Sequence, residues 1–419
     1  MKDVLTITGG KPLKGKVRIS GSKNTTVALI PATVLANEPV RISGIPKIAD
    51  VAVMCQLLEE LNCEVEHVNG SELIINPDKL VNKPLISEDV TKLRASYYFM
   101  GALLGKYKEV GIRMSGGCNL GPRPIDLHLK GFEALGAKVE YINDIYYLKA
   151  EELRGTKIFL DIASVGATIN IMMAAVYAKG RTIIENAAKE PEIIDVANLL
   201  NKMGAKIRGA GTNYITIDGI AYLGGCCHEI IPDRIESGTY IIMAATAAED
   251  MTIENVIPLH LESLISKLKE MNVNIEVGND WVRVKSDHDL VATDIMTLTY
   301  PGLATDVQQP LSVLLTQAEG KSQIVETIYK ERFKHCHELN KMGADIEVMT
   351  GQCQINGPSK LVGCDVIAPD LRGGAALVIA GLIAKGKTTI HEIYHVDRGY
   401  EGIDEKLRAL GAEIERTTE

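Results

Sequence analysis

A three-residue signal recurs along this chain and constrains its fold more than any other feature. It consists of Leu or Met, then Gly or Asn, then a small or β-branched residue. Its six copies begin at Leu61, Leu135, Met203, Met271, Met342 and Leu410, about 70 residues apart. Each copy ends a stretch with amphipathic helical spacing, where glycine is the usual C-terminal stop. Each also precedes an alternating segment such as Ala137-Lys138-Val139-Glu140-Tyr141, the pattern of a strand with one wet face.

A second regularity lies inside each unit. A two-strand passage leads into a small, nearly all-apolar helical stretch, for example Ala167–Ala178, Gly238–Ala248 and Gly373–Ala384. A helix that is apolar all round belongs in an interior, while alternating strands can face solvent. The reading is α/β, with helices inside and sheets outside, in six units grouped three and three. The last copy stops at Gly411-Ala412-Glu413-Ile414-Glu415 with no strand left to return, and Leu5-Thr6-Ile7-Thr8 opens the chain with an unassigned one. The expectation is therefore a first domain over residues 22–230 and a discontinuous second domain over 1–21 and 231–419, crossing near Gly21-Ser22 and Ile230-Ile231-Pro232.

Composition narrows the function classes. Of 419 residues, 46% are hydrophobic and 24% charged, as in a soluble globular protein. Met1-Lys2-Asp3-Val4-Leu5 lacks the apolar run of an export signal, and no apolar stretch reaches spanning length. These features predict a cytoplasmic protein with no membrane partner. A net charge of −9 argues against nucleic acid and makes any local arginine cluster more informative. The eight cysteines form no CxxC pair and read as free thiols. Cys226-Cys227-His228 and His335-Cys336-His337 lack metal-site spacing, so neither a metal nor a cofactor is expected.

Unusual residues gather at two positions of the unit. Starts of the apolar helices hold Ser22-Lys23-Asn24, Arg94, Ser164-Val165-Gly166, Asp233-Arg234, Thr305-Asp306 and Asp370-Leu371-Arg372-Gly373-Gly374. Loops before the amphipathic helices hold Gly116-Gly117-Cys118 with Arg123-Pro124, Lys330-Glu331-Arg332 and Asp397-Arg398-Gly399. Free N–H groups and the positive dipole end at a helix start, joined by Lys and Arg, suit phosphate and carboxylate. Equivalent positions in repeated units would bring these groups to one surface of each domain. Cys118 stands among three glycines and two prolines, and a nearby arginine favours its thiolate, so it reads as a functional thiol.

With these motifs the sequence resembles the UDP-N-acetylglucosamine 1-carboxyvinyltransferase family of enolpyruvyl transferases over essentially its whole length. The resemblance is carried by Gly21-Ser22-Lys23-Asn24, Gly116-Gly117-Cys118 with Arg123-Pro124-Ile125-Asp126, and Ser164-Val165-Gly166-Ala167-Thr168. It continues through Glu185–Glu192, Pro232-Asp233-Arg234-Ile235-Glu236, Tyr300-Pro301 to Asp306, and Asp397-Arg398-Gly399-Tyr400. It implies an inside-out α/β barrel of six βαβαββ-type units in two domains. It also implies transfer of enolpyruvyl from phosphoenolpyruvate to the 3′-hydroxyl of UDP-N-acetylglucosamine, the first committed step of peptidoglycan precursor synthesis. By the same resemblance Asp306 is the base and Cys118 the proton donor, the site of a phosphoenolpyruvate adduct and of fosfomycin alkylation. Lys23, Asn24, Arg123, Arg372 and Arg398 would bind phosphoenolpyruvate, with Lys23 and Arg398 counted as catalytic. Asn24, Arg94, Ser164, Val165, Asp306 and Ile328 would contact the nucleotide sugar, with Arg123, Pro124, Ile125, Asp126 and Leu127 around the uracil. Ile162 stands where some relatives place Lys before the Ser-Val-Gly motif. Two alternatives stay open: 5-enolpyruvylshikimate-3-phosphate synthase, which usually has Lys-Ser in place of Lys23-Asn24 and lacks the cysteine loop, and a weakly catalytic nucleotide-sugar sensor.

Overall fold

In a computed structural model of the chain, residues 3–114, 125–286 and 289–418 are described. Each repeat signal makes the same local structure. Asn62, Gly136, Gly204, Asn272, Gly343 and Gly411 all have positive φ, between 62° and 114°. Glycine reaches this left-handed backbone without a Cβ penalty, and asparagine tolerates it. The N–H that follows bonds the carbonyl five residues earlier in all six copies: Cys63 to Leu58, Ala137 to Phe132, Ala205 to Leu200, Val273 to Leu268, Ala344 to Leu339 and Ala412 to Leu407. That is a Schellman closure, which satisfies helix-end carbonyls and turns the chain into the next strand.

The six amphipathic helices stopped in this way are Ala49–Glu60, Asp126–Ala134, Pro191–Lys202, Glu262–Glu270, Lys334–Lys341 and Ile403–Ala409. The six apolar helices are Lys23–Ala32, Tyr98–Tyr107, Val165–Ala175, Arg234–Ala247, Gln308–Leu315 and Leu371–Ile383. These are buried nearly all round. In Val165–Ala175 every residue from Gly166 onward is buried, and in Leu371–Ile383 every residue from Arg372 to Leu382. Close approach of two of them requires a glycine, since a Cβ on Gly101 would lie 2.3 Å from the carbonyl oxygen of Asn170.

The described strands form six small sheets, five of four strands and one of three. Their residues alternate between buried and more exposed, as in Tyr214–Asp218 and Lys387–His391, so one face packs on the helices and the other meets solvent. The N-terminal strand Asp3–Thr8 lies antiparallel between Lys387–His391 and Glu413–Thr418, with Leu5 opposite Ile390 and Ile7 opposite Ile414. Contacts divide the described residues into a continuous unit, 21–114 with 125–231, and a discontinuous unit, 3–20 with 232–418. Each has its own hydrophobic core and three of the sheets. Beside the crossings, Ser22 N–H bonds the Ile231 carbonyl within the continuous unit, and Asp233 N–H bonds the Ser20 carbonyl within the discontinuous one.

Candidate active site

In the continuous unit two buried helices begin on a serine cap. Ser22 Oγ accepts from Thr25 N–H at 3.2 Å, and Ser164 Oγ accepts from Ala167 N–H at 3.3 Å. Lys23 and Asn24 therefore sit in a first turn, and Val165 opens another. Lys23 is itself buried, and its Nζ lies 2.8 Å from Oδ2 of the buried Asp50. Arg94 begins the tight turn Arg94–Tyr97 before the helix Tyr98–Tyr107, its guanidinium 5.8 Å from the Tyr97 ring centroid. Close by, Asn170 Oδ1 accepts the Gly101 N–H at 2.8 Å, so the amide nitrogen faces His128 Nδ1 at 2.9 Å as donor. The neutral His128 ring thus carries its proton on Nε2. Burial, helped by the nearby Arg94 charge, lowers the His128 pKa to about 3. Asp126 and Leu127 start the helix Asp126–Ala134, and Ile125 is buried in front of them.

In the discontinuous unit two helix starts are capped by aspartate. Asp233 Oδ1 accepts from Ile235 and Glu236 N–H, and Asp370 Oδ1 from Arg372 and Gly373 N–H. Asp306, in the turn Thr305–Val307 before Gln308–Leu315, is clasped from two sides. Arg332 Nη1 donates to its Oδ1 at 2.7 Å, and Arg372 Nε to its Oδ2 at 3.2 Å. Both guanidiniums are almost fully buried, with side chains 5% and 2% exposed, while the Asp306 side chain keeps 25% of its surface open. Burial pushes the Asp306 carboxyl up, yet Arg332 and Arg372 together outweigh it and hold the group well below the usual carboxylate range. Arg372 also lies 5.2 Å from the Tyr400 ring centroid and is close enough to Asp233 to feel its charge, so starts of three buried helices meet here.

Ile328 is about one-third exposed, and its N–H bonds the buried Glu326. Arg398 follows the short helix Tyr394–Asp397 and is half-buried. The His395 imidazole is held low by burial and by the Arg398 charge. Cys118, Arg123 and Pro124 lie outside the described residues. Sequence reasoning did not single out Asp50, His128, Asn170 or Glu326. Each takes its meaning from a partner distant along the chain, and no local pattern marks it.

Inner helices ringed by small sheets, with cationic and carboxylate groups at the helix starts, define an enolpyruvyl transferase. The EPSP synthase (3-phosphoshikimate 1-carboxyvinyltransferase) family matches residues 7–407, and the chain belongs to that family. The crystal structure of the enolpyruvyl transferase NikO from Streptomyces tendae superposes with a TM-score of 0.91 at 26% identity, covering 100% of this chain and 99% of that one. Among curated relatives, UDP-N-acetylglucosamine 1-carboxyvinyltransferase 2 of Bacillus subtilis (strain 168) is 55% identical over 98% of this chain and 96% of its own. The protein of the same name from Listeria monocytogenes (serovar 1/2a, strain ATCC BAA-679 / EGD-e) is 54% identical over 100% and 99%. Among the described residues, no helix is long and apolar enough to cross a membrane.

Proposed function

We propose that this chain transfers the enolpyruvyl group of phosphoenolpyruvate to the 3′-hydroxyl of UDP-N-acetylglucosamine, with release of phosphate, as the first committed step of peptidoglycan precursor synthesis. Names of the relatives more than half identical support the acceptor. The observation that carries the chemistry is the clasp on Asp306. Two buried guanidiniums share one carboxylate, and Nη1 of Arg372 is buried with no hydrogen-bond partner among the described residues. An unmet buried donor costs about 1–3 kcal/mol, more when charged, so this nitrogen is a ready seat for an anionic oxygen.

The reaction is an addition followed by an elimination. The sugar hydroxyl oxygen bonds C2 of phosphoenolpyruvate while its proton leaves to a base and another proton adds at C3. The tetrahedral intermediate then loses phosphate from C2 and a proton from C3, restoring the double bond. In this reading Lys23, Asn24, Arg123, Arg372 and Arg398 hold the phosphate and carboxylate of the donor. Asn24, Arg94, Ser164, Val165, Asp306 and Ile328 contact the nucleotide sugar. Arg123, Pro124, Ile125, Asp126 and Leu127 surround the uracil, and Cys118 supplies the proton to C3. Asp306 takes the hydroxyl proton. Clasped by two arginines it is a weak base, but a donor anion that draws Arg372 away removes one clamp and raises its basicity. Base strength is then tied to donor binding.

Phosphate release decides the acceptor. The purified chain with phosphoenolpyruvate should release phosphate with UDP-N-acetylglucosamine and not with shikimate 3-phosphate. Release with shikimate 3-phosphate alone would make it a synthase of that class, and tight binding of the nucleotide sugar without release would make it a sensor.

A further inference from the structure

We infer that Glu326 is a positioning residue for the sugar-nucleotide half of this reaction, locking the turn that carries Asp306 to the loop that carries Ile328. The inference rests on the function proposed above. Glu326 directly follows the strand Gly320–Val325, and its side chain is almost completely buried. Its carboxylate accepts four hydrogen bonds. Oε1 takes the Thr297 hydroxyl at 2.8 Å, the Ile328 N–H at 2.8 Å and the Tyr329 N–H at 3.0 Å. Oε2 takes the Thr305 hydroxyl at 2.8 Å.

Each contact leads onward. Thr305 Oγ1 also receives Arg332 Nη1 at 3.0 Å, and the same nitrogen grips Asp306 Oδ1 at 2.7 Å. One short chain of bonds therefore runs from Glu326 through Thr305 and Arg332 to Asp306. On the other side, Glu326 fixes the backbone at Ile328 and Tyr329. Thr297 is bound in turn by the Thr327 N–H at 3.1 Å, and its carbonyl accepts the Thr327 hydroxyl at 2.6 Å. The turn holding Asp306 and the loop holding Ile328, both assigned here to the nucleotide sugar, are thereby set by one carboxylate.

A buried carboxylate is a poor choice where only stability is at stake, because apolar replacements of similar volume are often as stable or more so. An apolar side chain could fill this space. It could not accept two backbone N–H groups and two hydroxyls at once, so both segments would lose their fixed geometry. Among the described residues all hydrogen bonds to the Glu326 carboxylate come from Thr297, Thr305, Ile328 and Tyr329. The effect should therefore fall on the sugar nucleotide and not on the donor anion.

The experiment compares steady-state kinetics of wild type, E326A and E326Q with both substrates varied. Misplacing reacting groups by about 1 Å costs roughly 10²-fold, so E326A should lose about that much in kcat/KM for UDP-N-acetylglucosamine, through a raised KM for that substrate together with a lower kcat from the displaced base Asp306. Its KM for phosphoenolpyruvate should stay within about twofold of wild type. E326Q keeps the size and one accepting oxygen, so it should recover about tenfold of the loss. A folded E326A with an unchanged kcat/KM for the sugar nucleotide overturns the inference, and so do equal rises in both KM values, the mark of general loosening. If E326A does not fold, E326Q decides alone: a selective rise in the sugar-nucleotide KM sustains the inference and wild-type values overturn it. A wild type that releases no phosphate defeats the proposed function itself, whereas an active wild type with unaffected variants defeats only the role of Glu326.

Discussion

In the continuous unit buried Lys23 lies against buried Asp50, whereas in the discontinuous unit one carboxylate, Asp306, is shared by Arg332 and Arg372. The first sets one cation against one carboxylate. In the second, two guanidiniums flank one carboxylate, and the buried Asp370 and Asp233 add their charges to Arg332 and Arg372. The same repeat thus provides the same helix starts in both units, and the side chains placed there give them different electrostatic work. A second correspondence sharpens this. His128 and His335 each stand seven residues ahead of their repeat signals at Leu135 and Met342, and both are buried. Burial lowers both pKa values, with Arg94 adding to the effect at His128. Their partners differ, Asn170 Nδ2 at 2.9 Å for His128 and Ser312 Oγ at 2.8 Å for His335. The repeat sets depth, and the neighbouring helix chooses the partner.

The largest test of the comparison removes one cation from each unit. Lys23→Ala and Arg398→Ala should each lower turnover by about 10³-fold, because charge-assisted contacts to a reacting anion have no substitute in alanine. Both variants should keep a wild-type far-ultraviolet circular dichroism spectrum. Near-normal turnover in either would show that only one unit carries the anion chemistry.

A smaller loss is expected at Cys118. Cys118→Ser should lose about 10²-fold, since a hydroxyl is too weak an acid to protonate carbon well. Cys118→Asp keeps a proton-donating group and should retain turnover while resisting fosfomycin. Burial pushes the Cys55 and Cys63 thiols up to about 12, which keeps them inert, while Cys227 is exposed. Peptide mapping that placed the fosfomycin adduct on Cys227 would remove Cys118 from the mechanism.

The histidines predict a pH effect. An unfolded histidine takes up a proton below about pH 6.5, and folded His128 does so only near pH 3. Across that window the unfolded state binds more protons, so stability falls as pH falls, by about 1.4 kcal/mol per pH unit for this group. Urea unfolding of H128Q between those limits should show a slope shallower by about one proton than wild type. An equal slope would mean that His128 is not the neutral buried group described here, and the likeness to His335 would fail.

The smallest effect concerns Ile162, a residue 69% exposed in the continuous unit. Ile162→Lys should lower the KM for UDP-N-acetylglucosamine by no more than about fivefold, the range of a solvent-exposed charge contact. A KM that does not move would show that this position is not near the nucleotide's charge.

The sequence by itself determined the repeat, the stops and the layering, because those depend on short-range rules. A Gly or Asn after the last helical turn takes positive φ wherever it stands, and helices such as Val165–Ala175, without a polar face, can only be interior. Cationic and capping residues at Ser22-Lys23, Ser164 and Asp370 were readable for the same reason, since a cap bonds within three residues of itself. Tertiary structure alone decided which charges meet. Lys23 finds Asp50, Asp306 finds Arg372 across 66 residues, and Glu326 finds Thr305. These pairings arise because the fold of each unit brings different helix starts and loops together. The chemistry they create, a carboxylate held below its usual range and a histidine kept neutral, comes from burial and neighbouring charge, which no single segment of the chain contains.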